Sequence, residues 1–306
     1  MALCRRPESL EDLHHSALRI VPGDLRDSSL LASLPLRGGS VFHLAGVRNH
    51  PRARAREMEE VNVRATLALA RQAGEQGVEK FVHVATALIY GSADAGPPRA
   101  EEDGLHRAST PYARSKAEAV RGIRALAGQG LPAVTVCPSI VFGPDHPSHP
   151  NRVTSEIRRL LRGGPRLWVG GGRQLRSLAF VDDVVDGMLA AEARGRVGEE
   201  YLLGGEEISP RDLAGQVLAL AAERGVKISG LGLSLPAGVA LTAAGAADRL
   251  RGHEAGAGYA AAVRSLLREW RFSSGKAARE LGYRPLPLMA GLARTIDWLL
   301  PSMKGR

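Results

Sequence analysis

Cysteine is nearly absent from this chain, with only Cys4 and Cys137 in 306 residues. Two thiols so far apart form no disulfide framework; they fit a reducing compartment, the cytoplasm, with both thiols free and buried. Aromatic residues make up 4%, too few to interleave a basic surface and stack on bases. Lysine is scarce as well. Only five of the 41 basic residues are lysine, and the arginines are scattered among acids, so the net charge of +9 forms no basic block. No nucleic-acid partner is indicated. The apolar stretch 231–247 falls short of the ~20 residues of a bilayer span and is broken by Pro236; it reads as a core or substrate-pocket helix. No signal peptide or lipidation motif follows Met1. His146 and His149 stand in a proline-rich loop without the Cys or acid cluster a metal requires, so no metal site is expected. What remains, 44% hydrophobic and 24% charged, is the composition of an ordinary globular protein. Its length allows two domains or one large α/β unit.

The stretch from Val82 to Lys116 organises the rest. Residues 80–85 form an apolar, β-branched run, read as a buried strand ending at the hydroxyl of Thr86. A helix opens at Pro111, capped by Ser109 or Thr110, with proline where a missing N–H costs nothing. On it Tyr112 and Lys116 are spaced i, i+4 and share a face. A free phenol, with a pKa of about 10, is a poor proton carrier near neutrality. A cation beside it favours the phenolate, and a threonine hydroxyl at a strand tip can bond the same substrate oxygen. The three form a device for moving a proton on or off a carbonyl or alcohol.

A Tyr-x-x-x-Lys spacing alone is common and usually marks two solvated side chains. Here it belongs to an ordered set: Gly23-Asp24-Leu25-Arg26-Asp27, His43-Leu44-Ala45-Gly46, Val61-Asn62-Val63, Pro138 to Pro144, and Ala277 to Pro285. In this order the set resembles the extended short-chain dehydrogenase/reductase family, also called the NAD-dependent epimerase/dehydratase family, with a dihydroflavonol-reductase-like character. The resemblance implies an α/β fold, a Rossmann-like doubly wound parallel sheet, with a smaller, mostly helical substrate domain. Residues 1–165 are then mainly dinucleotide-binding and 166–306 mainly substrate-binding, with strands around 178–204 returning to the first unit.

The resemblance also implies roles. Thr86, Tyr112 and Lys116 would be catalytic. Asp24 and Leu25 would meet the adenine, Leu44, Ala45 and Gly46 would lie under the cofactor's ribose, and Asn62 would bridge backbone to the catalytic helix. Pro138, Ser139 and Val141 would lie over the nicotinamide. Thr86 and Ala87 would face the substrate. Arg176 would clamp a diphosphate, or else be a surface arginine near Asp182. At the strand end where the family separates its cofactors, Arg5 and Arg6 favour NADP over NAD by pairing a 2′-phosphate, against a solvated turn. His43 reads as a packed strand residue. A homodimer through the helices carrying Asn62 and Tyr112 is implied, and the partner molecule is a small organic substrate.

The opening departs from the family's pattern. Residues 1–4 read as the end of a strand, followed by a turn and a short helix with capping-box character from Ser9 to Asp12. The family's first strand and its glycine-rich loop, which lets backbone approach a pyrophosphate, have no counterpart; Gly170-Gly171-Gly172 comes too late. The sequence then starts at an internal methionine of a longer protein, which we favour, or has lost its cofactor grip. Further strands are expected at 18–21, 41–46, 133–137 and from Tyr201. Helices are expected at 27–34, 57–76, 111–127, 152–162, 209–224, 260–270 and 287–300. Ala87 and Leu88 stand where the family's sugar dehydratases carry Asp and Glu, which disfavours water elimination. That leaves NAD(P)-linked interconversion of a carbonyl and a secondary alcohol, nucleotide-sugar epimerisation with bound NAD, or a non-catalytic dinucleotide-binding or scaffold protein.

Overall fold

The computed structural model describes every residue except 11, 12, 14, 49–54, 95, 107–109, 147–149, 229, 231, 253–257 and 304–306. Asp12, Ser109 and His149, given roles above, lie outside the described residues.

Its spine is a four-stranded, all-parallel sheet in the order β3 (Ser40–His43), β4 (Lys80–Val84), β5 (Ala133–Pro138), β9 (Glu200–Leu203). Every residue of β5 is buried, as expected of a parallel strand covered on both faces. One face meets α3 (Thr66–Gln76) and α4 (Pro111–Gly128), through Phe81, Leu69, Ala73 and Ile123. The other meets α6 (Val181–Arg194) and α10 (Gly275–Leu281), through Val82, Val136, Met188 and Leu281. Burying side chains such as Phe81 and Val82 contributes about 1.5–3 kcal/mol each, so these two layers hold the sheet.

The strands β1 (Ala2–Cys4) and β2 (Ile20–Pro22) pair in parallel but form a sheet of their own. No described strand pairs with the outer edge of β1 or β3, so the parallel strands fall into two sheets instead of one. Of the later strands, β9 joins the four-stranded sheet, whereas β8 (Arg176–Phe180) pairs with β6 (Ile140–Phe142) and β10 (Glu207–Ile208). A second core there gathers Phe142, Ile157 and Leu160 with α7 (Pro210–Glu223) and α11 (Leu288–Leu299).

Local chemistry accounts for the boundaries. Asp27 accepts from Ser29 N and Leu30 N to start α1 (Ser28–Ser33), and Asn151 caps α5 (Arg152–Leu161) through Thr154 N. Thr110 caps α4 by accepting from Ala113 N, with Pro111 in the first turn, a cap typically contributing about 1 kcal/mol. The expected long helix from Glu57 is interrupted. After α2 (Ala55–Met58) comes a π turn, Glu59–Ala65, before α3. The Thr66 hydroxyl donates to Val61 O across that turn.

The stretch 231–247 is not one buried helix. It is the strand β11 (Gly232–Leu235), pairing with β7 (Arg166–Val169), then α8 (Ala237–Arg251). Pro236 divides them, and only Ala240 and Ala244 of α8 are buried, so its small side chains pack on α9 (Tyr259–Leu266) instead of entering the core. Cys137 is buried but Cys4 only half-buried, and neither forms a disulfide. No helix among the described residues is long and apolar enough to cross a membrane.

Candidate active site

The C-terminal end of β4 is where the predicted residues converge, the edge of an open parallel sheet at which ligands bind. Thr86, one residue beyond Ala85, is extended and caps a 3-10 turn, Ala87–Tyr90. Its hydroxyl faces the phenol of Tyr112 and favours the phenolate form. Lys116, one helical turn on, is buried and donates to Val84 O at 2.9 Å. Phenol and ammonium therefore lean on the same strand tip.

The electrostatics differ from the sequence expectation in one respect. Burial raises the pKa of Tyr112, while Arg48 and the Thr86 hydroxyl favour its phenolate. Arg48 is a cation that sequence reasoning missed, because it lies in the loop after β3, 64 positions before Tyr112. Burial pulls Lys116 down to about 8.

Asn62 sits in the π turn, fully buried, and π turns are frequent at functional sites. Its amide accepts from Val47 N at 2.7 Å and donates to Val47 O and to Ser115 Oγ, each at 3.0 Å. That bridge ties the β3 loop to the Tyr112 helix. A Cβ on Gly46 would stand 3.0 Å from Asn62 Oδ1 and 3.3 Å from Lys116 Nζ, so only glycine leaves both where they are. His43 is packed, with Nε2 2.8 Å from Thr66 Oγ1 and burial holding its pKa down to about 3.

Other predicted positions are more scattered. Arg5 and Arg6 are exposed beyond β1. The Asp24 carboxylate is already paired with Arg26, at 3.0 and 2.7 Å, and those bonds hold it down to about 2. Leu25 is buried in the α3 core, so only its backbone is open to a ligand. Ala87 is fully buried among Ile89, Tyr90 and Val120, and its methyl cannot line a substrate cleft. Leu44, Ala45 and Gly46 are exposed at the β3 end. Pro138 closes β5, Val141 packs beside α6, and Ser139 has a buried hydroxyl with no partner among the described residues.

Arg176 lines a cavity of about 340 Å³ with Arg152, Arg159, Gln174 and Trp168; none of Thr86, Tyr112 and Lys116 lines it. Its Nη2 donates to Leu266 O at 3.1 Å, whereas its Nε and the Gln174 Oε1 have no partner. Burial pulls its pKa down to about 10. Arg152 and Arg159 carried no motif; they reach the cavity because α5 packs beside β6, the neighbour of β8, and against α7. No cluster of acids, histidines or cysteines among the described residues could hold a metal ion.

The sequence profile of the NAD dependent epimerase/dehydratase family matches residues 2–204. A dTDP-glucose 4,6-dehydratase of Streptomyces antibioticus is 33% identical over 288 residues, covering 92% of this chain and 76% of that protein. A 4-hydroxy-2-methyl-3-oxo-4-farnesyl-3,4-dihydroquinoline-1-oxide ketoreductase of Stigmatella aurantiaca is 28% identical, covering 92% and 83%. Among solved structures, a double mutant of a dTDP-glucose 4,6-dehydratase from Streptomyces venezuelae, with NAD bound, superposes with a TM-score of 0.72 at 30% identity, covering 97% and 83%.

Proposed function

We propose that this chain, which belongs to the NAD dependent epimerase/dehydratase family, is an oxidoreductase interconverting a carbonyl and a secondary alcohol. The observation that carries this reading is the Lys116 ammonium held on Val84 O at the tip of β4, one helical turn from the Tyr112 phenol and beside Thr86. In the reducing direction the phenol passes its proton to the substrate oxygen, and Arg48 and Thr86 stabilise the phenolate left behind. A bound nicotinamide dinucleotide supplies the hydride.

The residues fit such a cofactor at its nicotinamide end, where Gly46 leaves room before Lys116 and Ser139 offers an unpartnered hydroxyl. At the other end, Arg5 and Arg6 are exposed and Arg26 is joined to Asp24. Guanidinium groups suit a 2′-phosphate, so NADP is preferred over NAD. The arginine-lined cavity suits a substrate bearing a phosphate or diphosphate, which arginine grips in bidentate fashion. Water elimination is not part of the reading, because Ala87 and Leu88 supply neither an acid nor a base.

The test is cofactor oxidation with a panel of ketones and nucleotide-linked keto sugars. NADPH consumption faster than NADH consumption, lost in Tyr112→Phe, is expected. The cavity also favours a second reading: conversion of a UDP-sugar to its epimer with no net cofactor change would make the chain an epimerase. NADPH binding without turnover of anything would leave a dinucleotide-binding protein.

A further inference from the structure

Four buried polar side chains occupy consecutive cross-strand positions of the main sheet: His43 opposite His83, His83 opposite Thr135, and Thr135 opposite Glu200. The row ends on β9 at Glu200, a buried acid with no part in the proton transfer described above. Its Oε2 accepts from the Tyr90 hydroxyl at 2.7 Å. Its Oε1 accepts from Arg124, at 3.1 Å from Nε and 2.5 Å from Nη2. Tyr90 is the last residue of the turn that Thr86 caps, and Arg124 lies two i, i+4 steps beyond Lys116 on α4. One carboxylate thus grips both the segment carrying Thr86 and the helix carrying Tyr112 and Lys116, from a strand that contains neither.

The same strand receives more. Leu202 N donates to Glu101 at 2.6 Å, and Lys276 donates to Glu200 O at 2.9 Å. Tyr90 itself is fully buried, and burial, with Glu200 beside it, keeps its phenol protonated and so a permanent donor.

From these contacts we infer that Glu200 and Tyr90 are positioning residues, setting the distance between the Thr86 hydroxyl and the Tyr112 phenol. The inference rests on the oxidoreductase reading for its kinetic consequence alone. A buried acid bonded to two elements fixes their relative position, and a displacement of about 1 Å at reacting groups can lower turnover on the order of a hundredfold. A merely structural network would change melting and leave the chemistry alone.

Crystal structures and steady-state kinetics of Tyr90→Phe and Glu200→Gln in the full chain decide it. Tyr90→Phe removes one oxygen and keeps the ring, so it folds even where the Glu200 variant does not. Its structure is expected to show the Thr86 hydroxyl displaced by about 1 Å relative to the phenol. Its kcat is expected to fall about tenfold or more, with KM within about twofold. In a Thr86→Ala background Tyr90→Phe should add nothing further, because it acts through Thr86. An unchanged Thr86–Tyr112 separation in the Tyr90→Phe crystal, or additive losses in the double variant, overturns the inference. Should the unaltered chain turn over no substrate, the oxidoreductase reading falls, and the crystallographic comparison alone decides the positioning role.

Discussion

Lys116 donates its ammonium to the carbonyl oxygen of Val84, 2.9 Å away, at the final residue of β4. A buried lysine with one hydrogen bond, to a neutral oxygen, among the described residues loses more hydration than it regains, and burial pulls its pKa down to about 8. With only five lysines in the chain, NMR of isotope-labelled lysine can follow each one. One signal should titrate near pH 8 and vanish in Lys116→Met. If all five titrate together near the ordinary value, the Lys116 ammonium is in water and not on the tip of β4.

Tyr112→Phe should lower turnover by a factor of about a hundred or more, the usual share of a proton-transfer group. Only one oxygen is lost from a half-buried ring, so the melting temperature should move by a few degrees at most. Turnover close to that of the parent enzyme would remove the phenol from the mechanism.

The histidines on β3 and β4 predict an acid sensitivity. His43 is neutral in the folded state, with its pKa held down to about 3 by burial and secondarily by Lys116, and His83 is shifted the same way. An unfolded histidine takes up a proton below about pH 6.5, so protons favour the unfolded chain. The contribution of His43 is complete above that value and is lost as pH falls towards 3. Between pH 6.5 and 5 it amounts to about 2 kcal/mol. Urea denaturation at pH 7 and pH 5 measures it, and equal stabilities at the two values would contradict the buried neutral ring.

Gly46→Ala tests how tightly the β3 loop meets the site. The new methyl would press on Asn62 Oδ1 at 3.0 Å and Lys116 Nζ at 3.3 Å. Asn62 cannot yield without giving up three hydrogen bonds. A loss of about 1–3 kcal/mol is expected, together with a displaced Lys116 titration. An alanine variant as stable as the parent, with its lysine unmoved, would mean that the loop has slack.

Arg176→Met should weaken binding of UDP and dTDP by about tenfold or more, since a half-buried guanidinium with an unpartnered Nε is being removed. Calorimetry with the two diphosphates is sufficient. Unchanged affinity would show that the cavity lined by Arg152, Arg159 and Arg176 does not hold the phosphates.

What the sequence determined by itself was local. Thr110 and Pro111 set the start of α4, the i, i+4 spacing put Tyr112 and Lys116 on one face, and the apolar run from Lys80 led to a hydroxyl at a strand tip. Helical period, caps and proline act over a few residues, so these features survive reading one residue at a time. Tertiary structure decided what depends on pairing between distant segments. The register of four parallel strands aligned His43, His83, Thr135 and Glu200, and no local pattern encodes a register. Packing brought Arg48 to bear on the phenol and gave the Asp24 carboxylate to Arg26. It also left α8 on the surface, because alanines with helical period bury only where a partner layer comes to meet them.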